Sequence, residues 1–132
     1  MASGLDRTRA RAYIDDSLGT STRTAPTTPI KLQVCTVAGT ENTAGTALGS
    51  TTAQTITFGA ASNANPPVAS STGTTTIVAG TGGTVVSIEI TDSAGSPVRA
   101  WFGALTSSRT VVAGDSLVFA AASVTAQLTP TP

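Results

Sequence analysis

Residues 101–119 read WFGALTSSRTVVAGDSLVF and hold the single Trp and two of the three Phe of a 132-residue chain. The segment divides at its turn formers. Val98 to Leu105 has the composition of a strand, TSSR (106–109) of a connector, and Thr110 to Val112 of a second strand. AGDS (113–116) places Gly and Asp where a tight turn needs them, and Leu117 to Ala121 resumes the strand pattern. Strand, turn, strand, turn, strand is the grammar of an antiparallel sheet.

The same grammar extends outward. Val85-Val86-Ser87-Ile88-Glu89-Ile90-Thr91 is the strongest candidate for a central strand, and DSAGSP (92–97) follows it as a turn. Ile30 to Val37 alternates strictly: Ile30, Leu32, Val34 and Thr36 share one face, and Lys31, Gln33, Cys35 and Val37 the other. Gln54 to Phe58, Thr74 to Val78 and Ser123 to Leu128 are further strands, and the tail at 129–132, TPTP, ends the sheet. The segment 39–52, GTENTAGTALGSTT, reads as a Gly/Thr loop with room for a short edge strand. GAASNANPPVASS (59–71) interrupts the pattern, because Pro66 and Pro67 cannot donate to a ladder. The glycines of GTGG (80–83) are expected to supply positive φ in a hairpin. Short strands at this spacing predict a mainly β chain, an antiparallel β-sandwich of jelly-roll-like character. Its expected core is Leu32, Val34, Ile56, Phe58, Val86, Ile88, Ile90, Phe102, Leu117 and Phe119.

Residues 1–24 differ from the rest. They carry Asp6, Arg7, Arg9, Arg11, Asp15, Asp16 and Arg23, half of all the charge in the chain. A short helix from about Leu5 to Leu18, capped by Gly19, or an extended arm, is expected here. Two units follow: an arm or helix at 1–24 and a sandwich domain at 25–132. The arm's Arg7, Arg9, Arg11, Tyr13, Ile14 and Leu18 are the candidate anchoring residues, either as a solvated face or against an acidic partner surface.

Composition removes several functions. With 7 basic and 7 acidic residues the net charge is zero, which argues against nucleic-acid binding through clustered cations. Thr makes up roughly a fifth of the chain, supplying β-branched strands whose exposed hydroxyls need no charge for solubility. There is no His, so a Ser–His–Asp triad is impossible and the commonest metal ligand is missing. Lys31 is the only Lys and lies mid-strand, a poor partner for a nucleophilic Ser. Asp92 and Asp115 stand in turn sequences, where short carboxylates cap backbone donors. Asp15 and Asp16 diverge on a helix and have no further ligands at loop spacing. GTGG lacks the ending of a phosphate loop. Cys35, alone, is expected to be a buried hydrophobe, and Trp101 to pack in the sheet. No catalytic, cofactor-binding or metal-binding residue is expected, and no transmembrane or signal segment is legible.

The segments TFGAASNA (57–64), FGALTSSRTVVAGDSLVFAAASVTAQL (102–128) and TAPTTPIKLQV (24–34) closely resemble a family of small tailed-bacteriophage virion proteins usually labelled phage tail fibre proteins. The order of elements is shared from about Arg11 to Leu128. Arg109 stands where Lys is usual and Ser123 where Gly is usual; the central strand lacks the aromatics common in relatives. The resemblance implies a non-enzymatic structural protein of a virion, made in the host bacterial cytoplasm and placed at the particle surface. A fibre needs a shaft of repeats or coiled coil, and this chain has neither. The expectation is therefore a capsid decoration protein on the outer head, a symmetric oligomer such as a trimer, bound to the major capsid protein or other virion proteins. The alternatives are a tail fibre, tail-tip or minor tail component, and a host-surface glycan-binding module in which Trp101 and Tyr13 would stack on sugar. Neither nucleic acid nor membrane is an expected partner.

Overall fold

The computed structural model describes residues 4–128 of the chain, so the expected stop at 129–132 lies outside it. One helix, α1 (Arg7–Ser17), follows a two-residue strand, β1 (Gly4–Leu5). The remaining strands are β2 (Lys31–Val37), β3 (Thr46–Ala47), β4 (Gln54–Thr55), β5 (Val68–Ser70), β6 (Thr75–Val78), β7 (Gly83–Thr91), β8 (Arg99–Val111), β9 (Ser116–Phe119) and β10 (Thr125–Gln127). Every pairing between named strands is antiparallel. The main sheet runs β1-β8-β7-β2-β3, with β4 also on β2, and the ribbons β6–β9 and β5–β10 accompany it. The fold is thus an antiparallel β-sandwich with a short N-terminal helix.

Register explains which face each residue takes. Leu32 pairs with Ile90 and Ile90 with Trp101; Val34 pairs with Ile88. Across the pleat, Gln33 pairs with Glu89 and Glu89 with Phe102, while Cys35 pairs with Ser87. Because side chains alternate between faces, the sheet has an apolar face and a mixed polar one. Ile77 and Leu117, opposite each other in the β6–β9 ribbon, close over the apolar face. They join Leu32, Val34, Leu48, Ile56, Ala79, Val85, Ile90, Val111 and Val124 in one cluster. Phe58, Ile88, Trp101 and Phe119 are half-buried against it.

Two placements depart from the expected core. Val86 is only half-buried, and its neighbour Val85 is fully enclosed. The register also breaks here: from Val85↔Arg109 to Ser87↔Ala104, β7 advances two residues while β8 advances five. TSSR is therefore not a connector between strands but the outward excursion of one continuous strand. Phe102 is buried, but on the polar face, outside the main cluster.

Local chemistry also redraws the boundaries of the helix. Asp6 is its N-cap, accepting from Thr8 N–H at 2.9 Å, and Gly19 just beyond the last turn has φ +69°. Leu5, expected to open the helix, instead pairs with Trp101, and Gly4 before it pairs with Phe102. At GTGG the glycines serve close approach, since none of them has positive φ. A Cβ on Gly80 would lie 2.0 Å from the Ser50 carbonyl oxygen, whereas one on Gly95 would meet nothing within 4 Å. Gly80→Ala should therefore lower stability by about 1–3 kcal/mol, the usual range for overpacking. Gly95→Ala should leave denaturant midpoints nearly unchanged; equal losses at both positions would refute the steric assignment.

Candidate functional site

The polar face of the sheet is organised by one guanidinium. Arg99 opens β8 with its side chain 8% exposed, and Glu89 lies one strand away with a side chain equally buried. A buried guanidinium carries five N–H donors that all need acceptors. Arg99 Nε and Nη2 donate to Asp6 Oδ2 at 3.0 and 2.8 Å, and Nη1 donates to Glu89 Oε1 at 2.8 Å. The remaining two donors reach the Thr43 and Thr40 carbonyls. Burial favours loss of the Arg99 proton, but Asp6 and Glu89 outweigh it and hold the group above its ordinary value. The Phe102 ring lies under the guanidinium, 5.0 Å from its centroid to the central carbon.

The loop at 39–45 is moulded to this centre. Gly45 N–H donates to Glu89 Oε1 at 2.7 Å, and Thr40 and Thr43 bond to each other across the turn. A Cβ on Gly39 would fall 2.4 Å from Arg99 Nη1 and 2.5 Å from Glu89 Oε1, which only glycine avoids. The Glu41 carbonyl accepts from Arg7 N–H, and Ala100 from Asp6 N–H. Sheet, loop and N-terminal segment therefore converge on Arg99.

A second ion pair fixes the helix. Arg9 Nη2 meets Asp92 Oδ2 at 2.9 Å, with side-chain exposures of 11% and 5%. Asp92 Oδ1 accepts from Val98 and Ala94 N–H at 2.8 and 3.3 Å, so this carboxylate caps the DSAGSP turn and holds the helix together. Burial pushes Asp92 toward its neutral form, but the N–H groups of Val98, Ala94 and Thr27, together with Arg9, outweigh it and hold it below the ordinary value of 3.8. Arg9 Nε is buried without a hydrogen-bond partner.

Of the six candidate anchoring residues, Arg9 is thus consumed inside the protein. Arg7, Arg11, Tyr13, Ile14 and Leu18 remain exposed. Ile14 and Leu18 are 58% and 71% exposed, unusual for such side chains on a helix, and Arg23 lies over the Tyr13 ring. Arg11 approaches Asp15 at 3.8 Å and Arg23 approaches Asp16 at 3.9 Å.

The remaining candidates are structural in character. Ser107, Arg109 and Asp115 line a cleft of about 550 Å³ between β8 and β9, but Asp115 Oδ2 accepts from Val112 N–H at 2.9 Å and caps the AGDS turn. Tyr13, Ile30, Phe58, Pro67, Trp101 and Leu128 line an apolar cavity of about 330 Å³. Cys35 is fully enclosed; burial and the Glu89 carboxylate push its thiol up to about 11, with Arg99 and Ser87 offsetting this only in part. Among the described residues, no group of three His, Cys, Asp or Glu side chains could hold a metal.

Arg99 was not singled out in the sequence. Its signal was Glu89, the one charge in the apolar run VVSIEIT, which must find a cation once the strand is central. A family model described as Podophage GP4 fiber I protein gp80 matches residues 5–127. No curated protein and no solved structure matches the chain.

Removing Arg99 by Arg99→Met leaves Asp6 and Glu89 buried without their cation and should cost about 3–5 kcal/mol in denaturant unfolding. A loss under about 1 kcal/mol, the value of an exposed pair, would contradict the assignment. Asp92 contributes stability above its unfolded-state value that is lost as pH falls through its lower folded-state value. Asp92→Asn should therefore flatten the decline in stability below about pH 4. An acid limb as steep as that of the parent chain would show that Asp92 plays no such part.

Proposed function

The chain belongs to the Podophage GP4 fiber I protein gp80 family, and from that premise we propose that it is a non-enzymatic structural subunit of the phage virion, a building block of a fibre-type appendage. It acts by docking to other virion proteins and to copies of itself. The observation that carries this is the extent of the match: residues 5–127 run from the second residue of β1 through the helix and every later strand to the end of β10, so helix and sandwich both belong to the family.

The site chemistry supports binding over catalysis. Asp92 and Asp115 are committed to capping backbone donors, and Glu89 to Arg99. Outside the helix the surface carries little charge, and Val37, Val78, Val112 and Val118 are each more than half exposed among hydroxyl-bearing residues. A surface of methyls and hydroxyls suits lateral packing, where desolvating charge would be costly. No helix among the described residues is long and apolar enough to cross a membrane.

A second reading, decoration of the outer head, is favoured by one observation: the described residues form a sandwich, with no repeating shaft element among them. Copy number separates the two. Quantifying the protein in purified virions with heads and tails parted should find it with the tails, on the order of tens of copies, as closed symmetry around a single tail allows. Copies on the order of hundreds, co-purifying with heads, would replace the fibre assignment by decoration. Absence from both fractions would overturn a structural role altogether.

A further inference from the structure

A polar cavity of about 390 Å³ lies where α1, the 21–27 segment and the turn after β7 meet. Thr8, Ser21, Thr22, Thr24 and Thr27 bring hydroxyls to its wall, and Arg9, Arg23 and Asp92 bring charge. Its acceptors are already engaged. Asp92 Oδ1 accepts from Val98 and Ala94 N–H, and Oδ2 accepts from Arg9 Nη2. The Thr24 carbonyl accepts from Arg9 Nη1 at 3.5 Å, and the Thr27 carbonyl from Ser93 N–H at 2.9 Å.

Its donors are in surplus. Arg9 is 9% exposed as a residue, yet only Nη1 and Nη2 make hydrogen bonds, and Nε is buried without a partner. A guanidinium carries five N–H donors, so most of those on Arg9 have no acceptor among the described residues. Asp92 is the cause: its Oδ1 is turned to the backbone, so the carboxylate meets Arg9 at one nitrogen and not as a two-pronged fork. Arg23 is in a similar condition. Its Nε stands 3.9 Å from Asp16, beyond hydrogen-bond length, and its guanidinium lies over the Tyr13 ring. None of the five hydroxyls makes a hydrogen bond among the described residues.

We propose that this cavity binds a small oxyanion, a carboxylate or a phosphate group. Such a ligand only accepts, and every uncommitted group on the wall is able to donate. A neutral polyol brings its own donors, for which only the wall hydroxyls remain as acceptors. Guanidinium bonds to carboxylate or phosphate belong to the strong, charge-assisted class. The charge of Arg9 is balanced by Asp92, so Arg23, with its side chain 34% exposed, is the cation placed to receive the anion. The ligand would join the three segments that meet here, and binding would stabilise the seat of α1 on the sandwich. This is a property of the single chain, independent of the assembly role, and each stands if the other fails.

The test is a titration of the full chain with sodium phosphate and, separately, with sodium acetate, ionic strength being held constant with sodium chloride. The Arg9 Nε–H resonance, assigned by its loss in Arg9→Lys, reports on the guanidinium, and the thermal midpoint reports on stability. At least one anion should shift the resonance along a saturating curve, half-complete at roughly millimolar concentration, and raise the midpoint over the same range. Saturation by phosphate alone identifies a phosphate group, and by acetate alone a carboxylate. Arg23→Gln should weaken binding about tenfold, the loss of one charge-assisted hydrogen bond. Arg9→Lys keeps a cation opposite Asp92 but removes the planar fork, and should abolish the saturable rise in midpoint. Arg11→Gln, outside the cavity, should change neither curve. A linear, unsaturated response to both anions, as salts act generally on stability, would overturn the proposal. So would saturation in Arg23→Gln and Arg9→Lys equal to that of the parent chain.

Discussion

A guanidinium that loses contact with water must have its N–H donors satisfied, and the architecture around Arg99 follows from that requirement. Two donors go to Asp6, one to Glu89 and two to carbonyls of the 39–45 loop. These partners come from three stretches of chain far apart in sequence, so satisfying one side chain positions all three. The apolar face supplies most of the burial, but burial is non-directional and does not say where an N-terminal segment should lie. The ionic centre does, because leaving any partner unpaired in that environment is costly.

The same centre decides what the N-terminal segment can do. A charged arm on a flexible connector would search for a partner and become ordered on binding. Here β1 pairs with β8, Asp6 caps the helix while holding Arg99, and Arg9 reaches Asp92. The helix is thereby fixed against the sandwich with one face inward and the opposite stripe outward. Such a pre-ordered surface suits the assembly role proposed above, since association loses little conformational freedom.

Much of the β architecture was legible in the sequence because burial imposes a period of two. The alternation of IKLQVCTV matches β2, whose inward residues Leu32 and Val34 are fully enclosed. Turn chemistry was legible too: Asp92 and Asp115 accept from backbone N–H groups in the turns where their sequences place them. What pattern reading could not see was register. The extra residues around Leu105–Ser108 break the register of β8 against β7, and no composition rule announces a bulge of that kind. β5 was hidden by its short length beside two prolines. The ionic centre was hidden because charge read along a chain looks like surface. Only pairing across β7 and β8 shows that Glu89 and Arg99 share the polar face of the sheet. Arg9 was obscured likewise, since one inward Arg among three on a helix is distinguishable only once the sandwich defines which side is inside.

The central claim is that the ionic centre makes helix and sandwich one cooperative body. Native-state hydrogen exchange measures this directly, as the free energy at which each amide opens. If the account holds, the α1 amides from Ala10 to Ser17 exchange only through the global unfolding that also exposes the amides of β7. Exchange of the helix through a separate opening, well below the global free energy and with β7 still protected, would contradict it.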